Sequence, residues 1–177
     1  DIVAGGQFAS FNGTTGIGKL ARISATGVLD ATFNTNIGTG ASGGDIEVVL
    51  VQPDEKIIVG GGFNNWNGAT VGGIVRLNTN GTVDATFNTN VGTGANSVVR
   101  ALALQSTNKI LVGGDFGNWN GNSVNKLVRL DTDGTYDAAV SAGANATISS
   151  ILVKSDDSFI LGGNFTISGT IVPLYIP

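Results

Sequence analysis

GGDFGNWNG, residues 113–121, decides how the rest of the chain is read. Two glycines let a backbone come close to a ligand, and Asp115, Trp119 and Asn120 are side chains able to hold one. Yet the chain writes the same phrase several times. GGxF occurs as GGQF (5–8), GGGF (60–63), GGDF (113–116) and GGNF (162–165), with phenylalanines 8, 63, 116 and 165 spaced by 55, 53 and 49 residues. Arg22, Arg76 and Arg129 each precede Ile or Leu, at spacings of 54 and 53. DATFNTNIGTGA (30–41) and DATFNTNVGTGA (84–95) are nearly identical. Self-similarity with a period of about 50 residues marks a propeller or a solenoid, in which each unit needs its neighbours to bury its faces.

The units run approximately over residues 1–44, 45–96, 97–146 and 147–177, forming one repeat region. Each reads as four antiparallel strands. In the third these are SVVRALALQ (97–105), KILVGGDF (109–116), NKLVRLD (125–131) and a short TYDAAV (135–140). The strands are apolar almost throughout, as in sheets covered on both faces. No segment has a helical period. The expected fold is therefore all-β, with about three and a half repeats of four antiparallel strands each.

Composition closes several routes. The chain has 177 residues, a net charge of −4, and neither Cys, Met nor His. Thiolate and imidazole metal sites are excluded, as are cysteine nucleophiles and Ser-His pairs. The expectation is a protein that is not an enzyme and needs no cofactor. The nine basic residues are scattered, whereas a nucleic-acid partner calls for a basic stripe. No apolar run approaches the ~20 residues of a membrane span, so no membrane insertion is expected.

The turns are legible in more detail. SATG (24–27), NTNG (78–81) and DTDG (131–134) have the Ser, Asn or Asp first and Gly fourth that a type I turn favours. A three-residue hairpin loop ending in a left-handed Gly sets Arg22 opposite Asp30, Arg76 opposite Asp84 and Arg129 opposite Asp137. These three pairs are expected to be structural cross-strand ion pairs. The first and second strands join through QPDEK (52–56), QSTNK (105–109) and KSDDS (154–158). Asn108 and Asp157 tolerate a left-handed backbone, but Glu55 fits it poorly, so the first of these turns is expected to differ in type.

KILVGGDFGNWNG followed by KLVRLDTDGTYD and an apolar strand resembles the delta-60 repeat family, over nearly the whole chain. Kelch repeats also place a Gly pair after an apolar strand, but the RL-x-x-x-G-x-x-D segment fits the delta-60 pattern better. The resemblance implies that residues 1–177 are a single β-propeller region of four-stranded blades, part of a larger ring, as in large bacterial surface proteins or phage proteins. The chain departs from that pattern twice, lacking Gly in the QPDEK turn and carrying Val140 in place of the DATF phenylalanine.

Counted this way the chain enters on a second strand and ends on a third, IVPLYIP (171–177), which gives fourteen strands. A single-chain ring is not expected to close on these terms. Either the sequence is an excerpt of a longer chain, the favoured expectation, or two copies supply twenty-eight strands for seven blades. The expected partners are other protein subunits or further blades of the same chain.

The candidate binding residues lie after the second strands, in FASFNG (8–13), FNNWNG (63–68) and FGNWNG (116–121). An aromatic plane beside amides, in Phe11, Asn12, Trp66, Asn67, Trp119 and Asn120, is how many proteins hold a sugar ring, so a surface glycan is a candidate partner. The competing reading, which we favour, has these aromatics packing between blades while Asn-Gly makes a turn. DTDGTYD (131–137) lacks the length and terminal Glu of a calcium loop, and the GG pairs are followed by no helix or Walker lysine. The expected function is a non-catalytic structural or binding module of a phage tail or fibre, located in the virion. The alternative is an extracellular bacterial adhesin or carbohydrate-binding module.

Overall fold

The computed structural model describes residues 1–140 and 143–166. The first unit comprises β1 (Ile2–Gly5), β2 (Ser10–Phe11), β3 (Thr14–Thr15), β4 (Leu20–Ile23) and α1 (Ala31–Asn36). The second comprises β5 (Ala41–Ser42), β6 (Ile46–Val51), β7 (Ile57–Gly61), β8 (Asn65–Trp66), β9 (Ala69–Thr70), β10 (Ile74–Leu77) and α2 (Ala85–Val91). The third contains β11 (Val99–Leu104), β12 (Ile110–Gly114), β13 (Asn118–Trp119), β14 (Asn122–Ser123), β15 (Leu127–Leu130) and β16 (Tyr136–Asp137). Of the fourth, β17 (Ile148–Val153) and β18 (Phe159–Gly163) are described. The expected strand at IVPLYIP lies outside the described residues.

All pairing is antiparallel. The sheets run β1-β4, β6-β7-β10, β11-β12-β15-β16 and β17-β18. The first strands of successive units, β6, β11 and β17, pack on one another, so the sheets fan out from that edge. Each first strand carries a bulge at the same place, where register shifts between Ile46 and Val48, Val99 and Ala101, and Ile148 and Ser150. Three apolar clusters hold the stack. Each straddles a junction: Phe33 and Ile37 with Ile57 and Val59, then Phe87 and Val91 with Ile110 and Val112, then Leu111 and Leu127 with Ile148.

The glycine pairs explain why the sheets approach so closely. A Cβ on the first glycine would collide with the next unit's first strand: Gly5 with Ile46 at 2.5 Å, Gly60 with Val99 at 2.7 Å and Gly113 with Ile148 at 2.7 Å. A Cβ on the second would strike the carbonyl at the bulge of its own unit: Gly61 against Asp45, Gly114 against Val98 and Gly163 against Thr147. One glycine serves the junction between blades and the other serves the bulge within a blade.

Two expectations need correction. DATFNTN does not form a fourth strand in the first two units; it forms α1 and α2 after single bridges at Ile23–Leu29 and Leu77–Val83. Asp30 and Asp84 cap these helices, accepting from the amides of Phe33 (2.9 Å) and Phe87 (3.3 Å). The phenylalanines are fully buried and anchor each helix to its sheet. The third unit has Ala139 and Val140 there, and keeps a short fourth strand instead. The second correction concerns Glu55, which does adopt the left-handed conformation at φ +64°, matching Asn108 at +63° and Asp157 at +62°. The closing bonds, Glu55 N–H to Gln52 O at 2.9 Å and Gln52 N–H to Lys56 O at 2.8 Å, are those of the other two turns. The hairpin geometry overrides the residue's own preference, at a cost of about 1 kcal/mol.

Candidate functional site

The aromatic loops form two-residue hairpins. Trp66 pairs with Ala69, Trp119 with Asn122 and Phe11 with Thr14. Asn-Gly fills each turn with both φ angles positive: Asn67 +51° and Gly68 +82°, Asn120 +49° and Gly121 +84°, Asn12 +47° and Gly13 +81°. These are type I′ values, for which Asn-Gly is the preferred pair.

Trp66 is 2% exposed and Trp119 0%. Each ring meets the phenylalanine of its own GGxF motif, Phe63–Trp66 at 5.7 Å and 60°, Phe116–Trp119 at 5.6 Å and 62°. Neither tryptophan presents a face to a sugar, which corrects the glycan-platform reading at both. The reason is geometric: the one-residue alternation of a two-residue hairpin turns Trp inward where it turns Asn outward. Asn67 then reaches back to the preceding unit. Its Oδ1 accepts from Gly40 N–H (2.9 Å) and the Thr39 hydroxyl (3.1 Å), and its N–H donates to Gly40 O (3.1 Å). Asn120 makes the same clip, accepting from Thr93 N–H (3.2 Å) and hydroxyl (3.1 Å) and donating to Gly94 O (2.8 Å). Phe11 is half-buried where Trp66 and Trp119 are buried, while Asn12, Asn67 and Asn120 are all exposed.

The Arg–Asp pairs form as well: Arg22–Asp30 and Arg129–Asp137 at 2.7 Å, Arg76–Asp84 at 2.9 Å. A lysine completes two of them, Lys56 on Asp84 at 2.9 Å and Lys109 on Asp137 at 2.8 Å. Arg22 stacks over Phe33 at 4.3 Å and Arg76 over Phe87 at 4.0 Å. The guanidinium also crosses the junction, since Arg22 donates to Thr79 O and Arg76 to Thr132 O in the following unit's turn. Burial pushes the Asp137 carboxyl up, but hydrogen bonds from Lys109, Ala139 N–H and Arg129 outweigh it and bring the pKa to about 2. Asp84 is lowered in the same way by Lys56, Phe87 N–H and Arg76 against burial. Asp30 is lowered mainly by the Phe33 N–H and Arg22.

A third polar group was not legible as such. Asp115, the variable residue of GGDF, accepts from Arg100 Nη2 (2.7 Å) and Nε (2.9 Å) at the bulge of its own unit, and from the Thr147 hydroxyl of the next unit (2.6 Å). Arg100 lowers its pKa first, with Thr147 adding to the effect against burial. The other motifs hold Gln7, Gly62 and Asn164 there. The signal available in the sequence was an Arg unique to one bulge matched by an Asp unique to one GGxF. In DTDGTYD, Asp131 pairs with Lys109 at 2.9 Å and Asp133 accepts from Thr135 N–H at 3.0 Å, so its carboxylates serve the turn and its triad. Among the described residues no group of three His, Cys, Asp or Glu is placed to hold a metal ion, and no helix is long and apolar enough to cross a membrane.

Antiparallel sheets fanning from their first strands, each buried by its neighbours at period-spaced glycines, define an all-β propeller. Residues 1–33, 52–87 and 105–139 each match the family described as a domain of unknown function (DUF5122) beta-propeller, and the chain belongs to that family. The second and third matches begin at the turn before β7 and β12 and end at the fourth element of the blade. No curated protein matches the chain significantly.

Proposed function

We propose that this chain is a non-catalytic structural module of a phage virion, part of a tail or fibre, assembling with other protein subunits or with further blades of its own chain. The observation that carries the reading is that the repeated polar residues, Asn67, Asn120, Arg22 and Arg76, are used in clips between blades. A rigid stack of this kind suits a load-transmitting part. The phage assignment comes from the resemblance to delta-60 repeats. Peptide mass spectrometry of purified particles from the source tests it: the chain is expected at a fixed stoichiometry in the virion, and its absence from particles overturns the reading.

The second reading is an extracellular adhesin or carbohydrate-binding module, which the half-buried Phe11 beside exposed Asn12 favours. Under it, Phe11→Ala abolishes retention on a glycan array while Trp66→Ala changes only stability. Absence of any glycan signal from the unaltered protein excludes it.

A further inference from the structure

The three junctions inside the chain share their glycine seats and differ at one place. The residues that vary there are the one before each bulged first strand, Asp45, Val98 or Thr147, and two in the preceding unit. Those two are the variable residue of GGxF (Gln7, Gly62, Asp115) and the left-handed residue before the third strand, Lys19 at φ +64°, Gly73 at +68° and Lys126 at +64°. Each junction has its own chemistry. In the first, Lys19 Nζ donates to Asp45 Oδ1 (2.6 Å) and to Gly44 O (2.9 Å). In the second, Gly62 and Gly73 present no side chain, and Val98 lies over Gly62, whose Cβ would meet its Cγ2 at 3.5 Å. In the third, the Thr147 hydroxyl donates to Asp115 Oδ1 (2.6 Å), while Arg100 holds the other carboxylate oxygen at 2.7 Å and Lys126 turns back to Asp115 O at 2.9 Å.

We propose that these three sets of residues are a key that fixes which unit follows which, and that the partner it excludes is a unit from a second copy of this chain. Each set disfavours the others' partners. Asp45 placed after the third unit would bring its carboxylate to that of Asp115, and like charges at one place oppose each other. Placed after the second unit, Asp45 would face two glycines and no cation. Val98 placed after the first unit would take the carboxylate away from Lys19. The rest of the junction offers no such choice, because Gly5, Gly60 and Gly113 all seat a β-branched residue, Ile46, Val99 or Ile148. Units this alike are prone to exchange between copies, a characteristic failure of repeat proteins, and repulsion of the wrong neighbour is how closely similar partners are told apart.

The test gives one junction the key of another, in the full-length protein. Thr147→Asp alone sets two carboxylates together and is expected to raise the unfolding equilibrium constant in urea by about tenfold. Adding Asp115→Gln supplies the first junction's whole set, since Lys126 already stands where Lys19 does, and is expected to recover most of that loss. Choice of partner is read separately. Two populations carrying different dyes are unfolded together, refolded and separated by size, and mixed oligomers are counted by energy transfer. The double variant, with one key at two junctions, is expected to form at least about threefold more mixed oligomer than the unaltered protein. Additive stability changes overturn the proposal. Recovered stability with an unchanged mixed fraction overturns it too, because the contacts would then hold the junction without choosing its partner. Asp115→Gly with Thr147→Val, which installs the second junction's residues at these two positions and adds no charge, repeats the test should Thr147→Asp fail to fold, and the same two outcomes overturn the proposal.

Discussion

The second and third units share their sheet and differ in what closes it. Both have a bulged first strand, a glycine pair, a buried Phe–Trp pair and an Asn-Gly turn. Beyond the third strand they part: α2, capped by Asp84 and anchored by Phe87, against β16, where Asp137 keeps the place of Asp84 but Val140 replaces Phe87. The bulge, the glycine pair and the Asn-Gly turn are kept, while the element after the third strand, whose Phe87 and Val91 also pack across the junction, follows its local residues.

Breaking the shared part has the largest expected effect. Trp66→Ala and Trp119→Ala each empty a fully buried site and are expected to cost about 3–5 kcal/mol in urea unfolding. A loss under about 1 kcal/mol at either would mean that the aromatics are not the common core of the two units. The ion triads come next. Asp137→Asn leaves Arg129 buried without its partner and is expected to cost about 3 kcal/mol. Because the folded pKa of Asp137 is about 2 against an ordinary 3.8, its contribution is fully present above pH 4 and is lost as pH falls through about 2. An acid melt of Asp137→Asn should therefore be flatter below pH 4 than that of the unaltered chain.

The difference between the units can be probed with a smaller change. Phe87→Val gives the second unit the third unit's residue and removes the ring under Arg76; a loss of about 1–2 kcal/mol is expected. Amide exchange should show α2 opening while β10 stays protected. Loss of protection at β10 would mean that the Phe87 ring holds the sheet as well as the helix. Glu55→Gly is the smallest, a gain of about 0.5 kcal/mol at most by relief of the left-handed residue less the added unfolded-state freedom. Asn108→Gly should be neutral, since Asn tolerates that conformation.

Much of this organisation was written in the chain. The repeat period placed the glycine pairs, Gly27, Gly81 and Gly134 fixed the type I turns, and those turns set Arg129 opposite Asp137 as observed. The helices were not legible by period because six or seven residues make fewer than two turns, too short for an apolar stripe. Their only signal was local: an Asp followed three residues later by a buried Phe. Glu55 misled because residue preference was weighed without the hairpin that imposes the conformation. At the candidate site the Asn-Gly turns and their packing aromatics were legible. The Asn clips were hidden, since their partners, Thr39 with Gly40 and Thr93 with Gly94, lie in the preceding unit and most of the bonds run to backbone groups.

The central claim is that GGDFGNWNG and its copies are building elements that join blades. A double-mutant cycle on Gly60 and Val99 tests it most directly, using Gly60→Ala, Val99→Ala and both together in urea unfolding. If Gly60 exists to admit Val99, shrinking the valine relieves the added methyl, and the double variant should be more stable than the sum of the single changes predicts by at least about 1 kcal/mol. Additivity within about 0.5 kcal/mol would contradict the claim, because the glycine would then be serving something other than the neighbouring blade.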